Sequence, residues 1–157
     1  MKLTEILTEN EIKINLEAED KMEAIEELID LLISEHEVSL RDRDTIIDAV
    51  FTRERSISTG VGEGVAIPHG SIDCVDEIVG SIGISQNGID FDSFDGEPVF
   101  IVLLLLVPKT SFGKHIKTLA HIARTLSSPG IRDKIRSAGS SHEVFDLIET
   151  AEQEFDA

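Results

Sequence analysis

The run VFIVLLLLVP, Val99–Pro108, constrains the fold of this chain more than any other segment. It carries no polar side chain, so neither of its faces can meet water. A bilayer span needs about 20 apolar residues, and this run is far shorter. Its length therefore reads as a buried central strand. A strand that is apolar on both faces needs helices above and below it.

The rest of the chain supplies them. Ile12–Ala18 alternates apolar and polar and reads as a strand, as does Ile78–Ser85. Asp20 caps a helical pattern reaching about His36, with Met22, Ile25, Leu28, Ile29 and Leu32 at helical spacing. Ser39 begins a second helix, carrying Leu40, Ile46, Ile47, Val50 and Phe51 and ending near Arg55. Ser111 opens a third, to about Ser127, where Pro129-Gly130 breaks it. Two short helices follow, near Ile131–Ser137 and His142–Glu152, the second capped by Ser141. Asn87-Gly88 and Asp95-Gly96 are turn signals, and residues 152–157 are expected to fray. Strands alternating with helices indicate an α/β fold: a single mixed β-sheet flanked by α-helices on both faces. No repeat or long linker divides the chain, so residues 1–157 are expected to form one domain.

Lys and Arg number 14 against 31 Asp and Glu, a formal charge of −17. Such a surface repels nucleic acid and anionic membranes, so neither is an expected partner. The acids are spread along the chain and no basic cluster stands out, which suits a solvated surface in high intracellular salt. Cys74, the one cysteine, excludes an intrachain disulfide and reads as a small structural residue. The acidic N-terminal stretch does not read as a secretion signal, so a cytoplasmic setting is expected.

The stretch GVGEGVAIPHG, ending at Gly70, sets the functional question. It lacks the Lys-Ser or Lys-Thr of a P-loop, and its glycine spacing is wrong for a dinucleotide fingerprint. The five histidines form no metal-binding pattern, and neither a metal nor another cofactor is expected. His115 and His121 are six residues apart and point roughly 120° from one another on a helix. Ile116, Leu119, Ile122, Ala123 and Leu126 form one stripe with His115 at its edge, so His115 should face inward or into a cleft and His121 should be solvated. His69 could attack a phosphoryl group, in a loop whose glycine N–H groups can approach an anion and which Pro68 stiffens. The residues alone leave a turn histidine and a nucleophile both open.

The run RERSISTGVGEGVAIPHG, Arg53–Gly70, resembles the active-site signature of type-2 enzyme IIA domains of the phosphoenolpyruvate-dependent sugar phosphotransferase system. Arg53-Glu54, Ser58-Thr59-Gly60 and Ala66-Ile67-Pro68-His69 occur in the family's order, and the likeness extends over nearly the whole chain. It implies that His69 accepts a phosphoryl group from the phosphocarrier HPr and passes it to a cysteine of a IIB domain. It implies that His115, in His115-Ile116-Lys117-Thr118-Leu119, is the second active-site histidine. Arg53 would steady the phosphoryl anion, although a cation at a helix end is favourable in any case. Ser58, Thr59, Gly60 and Gly70 are candidates for phosphoryl-binding support, although turn formation explains the first two nearly as well. The resemblance implies sugar uptake, with fructose foremost, and peripheral association with a permease through IIB. A regulatory protein of the nitrogen type shares the same signature. Glu63, Asp73 and Asp76 would oppose a phosphoryl dianion and should point away from His69. Docking on so acidic a chain calls for a partner adapted to the same salt or a patch locally free of acids.

Overall fold

Alternation along Val99–Pro108 divides its side chains between two cores. Ile101, Leu103, Leu105 and Val107 enter one, and Val102, Leu104 and Leu106 enter the other, all with 0% exposure. At about 1.5–3 kcal/mol per buried large aliphatic side chain, this strand ties both layers of the protein together. The computed structural model describes residues 1–156, with backbone alone for Phe112, Phe155 and Asp156.

In chain order the helices are α1 (Leu3–Ile6), α2 (Lys21–Ser34), α3 (Arg43–Ser56), α4 (Ile116–Ser127), α5 (Pro129–Arg136) and α6 (Ser141–Asp156). The strands are β1 (Ile12–Lys13), β2 (Gly60–Gly62), β3 (Val65–Ala66), β4 (His69–Ile72), β5 (Val79–Ile89) and β6 (Val99–Pro108). They form one mixed sheet in the order β1-β5-β6-β3-β2, with β4 also paired to β6. Strand β6 is antiparallel to β5 on one side and parallel to β3 and β4 on the other. Leu3, Ile122, Leu126, Ile135, Val144 and Ile148 cover the Ile101 face, and Ala24, Ile25, Leu28, Leu32, Ile46 and Val50 cover the Val102 face. The expected α/β class with helices on both faces is the observed one. No helix among the described residues is long and apolar enough to cross a membrane.

Several local expectations are corrected. The first strand ends at Lys13 rather than Ala18. The Glu27 carboxylate of α2 takes the N–H groups of Glu17 (3.1 Å) and Ala18 (2.9 Å), leaving no ladder for them to join. The second helix opens as a 3-10 turn over Leu40–Asp42, and Leu40 is 70% exposed instead of packed. The third does likewise over Lys109–His115, so Ile116 falls outside the apolar stripe and is 56% exposed. The Asn87-Gly88 signal marks an irregularity inside β5, not a chain reversal. Ser140, not Ser141, caps α6: its hydroxyl accepts from Glu143 N (3.1 Å), while Ser141 donates to Ile12 O (2.6 Å). Cys74 is exposed rather than packed. The C-terminal helix continues to Asp156, and of the residues expected to fray only Ala157 lies outside the described ones. Glu152 shows why: 1% exposed, it accepts from Leu3 N (2.5 Å), Thr4 N (3.1 Å) and Thr4 Oγ1 (2.9 Å), satisfying the open end of α1.

Candidate functional site

The glycines of GVGEG make a hairpin. Strands β2 and β3 pair antiparallel, and the chain reverses through Gly62 (φ 91), Glu63 (φ 59) and Gly64 (φ 83). Successive positive φ angles are cheap only where most of the residues are glycine. Beyond the hairpin, Val65 to Ile72 runs beside β6 as one extended course. It is cut where Pro68, with no N–H to give, still accepts from Leu105 N through its carbonyl (3.0 Å). Alternation sends Val65 and Ile67 into the Ile101 core. His69 follows on the same face and is half-buried where the sheet meets α4.

The imidazole is held in one tautomer. Its Nδ1 lies 2.9 Å from Ile67 O. A carbonyl can only accept, so Nδ1 carries the proton and the lone pair of the neutral ring is on Nε2. Burial pushes the His69 pKa below its ordinary value of 6.5, and the Arg53 charge acts in the same direction. The bond to Ile67 and the Glu54 charge oppose them without prevailing. The neutral, nucleophilic form is thus favoured. The carboxylate whose charge acts on this ring is that of Glu54. Glu63 is drawn to Arg132 (3.0 Å) and Asp73 to Lys109 (3.5 Å), and Asp76 is exposed.

A cleft of about 260 Å³ opens here, lined by Arg53, Ser58, Thr59, Val61, Ile67 and His69, with Leu119, Ala120 and Ala123 of α4 across from them. Arg53 lies in the last turn of α3 and donates from Nη1 to Ile57 O (2.7 Å), the residue that ends the helix. Arg53 forms no ion pair among the described residues.

The expected supporting donors have other employment. The Thr59 hydroxyl donates to Glu54 Oε2 (2.6 Å) and Thr59 N to Glu54 Oε1 (3.1 Å). Ser58 donates its hydroxyl to Phe91 O and accepts from Gly60 N (3.0 Å). Gly60 and Gly70 do not line the cleft. Both are small for packing reasons: a Cβ at Gly60 would stand 2.1 Å from Ser93 Oγ, and one at Gly70 would stand 3.0 Å from Val50 Cγ2 of α3. His115 is 7% exposed at the residue preceding α4, inward as expected, but it is not among the cleft-lining residues. His121 is half-buried rather than solvated.

Sequence reasoning missed the part played by Glu54. It is 2% exposed, with Lys21 Nζ 3.7 Å from Oε1. Through Thr59 it reaches His69: Ile67 N donates to Thr59 O (3.0 Å), and Ile67 O holds His69 Nδ1. A signal existed. Ile46, Val50 and Glu54 are spaced by four, so the buried stripe of α3 ends in a carboxylate. The arrangement as a whole offers an oriented, neutral imidazole and a guanidinium lining the same cleft. These are the requirements for holding a phosphoryl group on nitrogen.

The profile of the family described as phosphoenolpyruvate-dependent sugar phosphotransferase system, EIIA 2, matches residues 5–151. The chain is 36% identical over 125 residues to the PTS system fructose-specific EIIA component of Haloferax volcanii, covering 80% of each. It is 33% identical over 148 residues, 94% of its length, to the PTS system fructose-specific EIIABC component of Bacillus subtilis, and spans 23% of that protein. The crystal structure of the nitrogen regulatory protein IIA-Ntr from Neisseria meningitidis superposes with a TM-score of 0.84 at 33% identity, covering 93% of this chain and 98% of that one.

Proposed function

This chain belongs to the EIIA 2 family of the phosphoenolpyruvate-dependent sugar phosphotransferase system, and on that premise we propose that it is a phosphoryl carrier with His69 as the phosphorylated residue. The observation that carries the proposal is the Nδ1–H bond to Ile67 O, which leaves the lone pair on Nε2 beside Arg53. Nε2 attacks the phosphorus of a phosphohistidine on the donor HPr. The new N–P bond forms as the old one breaks, and its electron pair stays on the donor imidazole, which takes up a proton. Arg53 balances the charge of the transferred group, and His115 steadies the site from the start of α4. A IIB cysteine thiolate then attacks the same phosphorus, and the electron pair returns to Nε2. Two relatives named for fructose support that sugar, and IIB would bring the carrier to its permease from the cytoplasm. No cofactor takes part.

Incubation with phosphoenolpyruvate, enzyme I and HPr is expected to give an acid-labile, base-stable phosphoprotein. His69→Ala abolishes it; label persisting in that variant refutes the assignment. His115→Ala is expected to retain labelling and slow onward transfer. The likeness to IIA-Ntr over nearly all of that chain favours a second reading, in which phosphorylation of His69 controls partner binding instead of transport. Transfer from the labelled chain to a fructose IIB domain separates the two: it proceeds in the first reading and fails in the second.

A further inference from the structure

The hairpin that supplies Val61 to the cleft has a tip with little stiffness of its own. Gly62, Glu63 and Gly64 all take positive φ, and Glu63 (φ 59) does so without being glycine. Groups outside the hairpin hold this residue at both ends. Its N–H donates to Asp95 Oδ2 (2.9 Å), and the other oxygen of Asp95 accepts from Glu97 N (3.1 Å). Its carboxylate accepts from Arg132 Nη1 (3.0 Å). The same Nη1 donates to the carbonyl of Ser127 (3.2 Å), the last residue of α4, where a cation is favoured.

The line Glu63–Arg132–Ser127 therefore joins one wall of the His69 cleft to the other. Thr59 and Val61 belong to the hairpin wall, and Leu119, Ala120 and Ala123 to the α4 wall. Ser127 stands about one turn beyond Ala123 on the same helix. Close packing does not fix the hairpin tip. A cavity of about 320 Å³ lies beside it, and Glu63, Gly64, Phe100 and Arg132 are among its lining residues. Among the ion pairs of the described residues, only Glu63–Arg132 ties the hairpin to the layer of α4 and α5.

We infer that Glu63 and Arg132 are positioning residues for His69: their bond clamps the hairpin to the end of α4 and so sets the width of the cleft in which the phosphoryl group is transferred. This rests on the phosphoryl-carrier reading. The path from the hairpin to the imidazole is short. Ile67 N donates to Thr59 O at the base of the hairpin, and Ile67 O holds His69 Nδ1. An exposed ion pair adds little to the stability of the whole fold. It can still shift a soft hairpin between clamped and free by a factor of a few. When the clamp opens, water reaches the ring. That relieves burial, the chief cause of the low His69 pKa.

The test uses Glu63→Gly, Arg132→Met and the two combined. Glycine takes φ 59 without strain and methionine keeps an apolar stem, so each variant should fold with a Tm near that of the parent. The readouts are the rate of His69 labelling by phosphoramidate, kcat and KM for transfer from phosphorylated HPr, and the NMR titration of the His69 ring. Each single variant is expected to lose about threefold in labelling rate and in kcat, with KM changed less. The double variant should lose no more than either single one, because both break the same bond. The His69 pKa should rise toward 6.5 in both single variants. Through-space charge alone would move them in opposite directions, since Glu63→Gly removes an anion and Arg132→Met a cation. Opposite shifts, an unmoved titration, or losses that add in the double variant overturn the proposal and leave the carrier reading intact. Failure of phosphoramidate to label His69 in the parent protein overturns both.

Discussion

Replacing Glu54 by alanine tests whether the buried carboxylate organises the site. Glu54 accepts two hydrogen bonds from Thr59, at 2.6 and 3.1 Å, and its side chain is 0% exposed. Hydrogen bonds to a charged group contribute about 1.5–3 kcal/mol each, and an alanine would orphan both Thr59 donors. Lys21 would lose its buried partner at 3.7 Å but keep the exposed Asp92 at 3.2 Å, and water can enter from the cleft, so part of the loss is recovered. The expected destabilisation is about 3–4 kcal/mol. At about 2–4 °C per kcal/mol for a chain of this size, the Tm falls by roughly 10 °C. Glu54→Gln keeps the shape and one acceptor and should lose about half as much. The chain has no Trp or Tyr, so unfolding is followed by far-UV circular dichroism. The second readout is the ¹⁵N spectrum of His69. Glu54 raises the His69 pKa against burial and Arg53, so its removal should lower that pKa further and loosen the Nδ1–H tautomer. An alanine variant within 0.5 kcal/mol of the parent (about the range of neutral surface changes), with an unmoved His69 titration, refutes the argument.

Gly60→Ala forces a methyl group to within 2.1 Å of Ser93 Oγ and should cost about 1–3 kcal/mol; adding Ser93→Gly should restore most of it. No restoration in the double variant would mean that the clash is not the cause. Glu27 has a pKa held below its ordinary 4.5: burial raises it, but bonds from Lys13, Glu17 and Ala18 outweigh burial. A depressed carboxylate stabilises the native state above pH 4.5 and loses that contribution as pH falls through the folded value. Glu27→Gln should therefore lower stability at pH 7 and narrow the gap to the parent in acid, as read from urea midpoints across pH.

The apolar strand and the paired helical patterns on either side were legible because burial imposes a period, and a period survives in a linear string. Asp20 was legible as a cap for the same local reason: its carboxylate accepts from Glu23 N (2.9 Å), three residues away. The run Arg53–Gly70 marked His69 through its order of residues. What could not be read was the partner of each polar group. Glu27 ends the first strand, and Glu152 orders the C-terminal helix by bonding residues 149 positions away. Thr59 and Ser58 looked available to an anion, but their donors are satisfied by Glu54 and Phe91.

The charge pattern shows the same division. The sequence alone determined that the chain is strongly acidic, that it needs a two-sided sheet and that one histidine follows a proline at the end of a glycine-rich stretch. Only the tertiary structure decided that His69 and Arg53 share a cleft with α4, that the glycines form a hairpin and that an acid-free helix forms the cleft's far wall. Period and composition are properties of neighbours along the chain. A hydrogen bond, a pKa or a field at a cleft depends on groups brought within a few ångströms by folding, and sequence separation does not encode that distance.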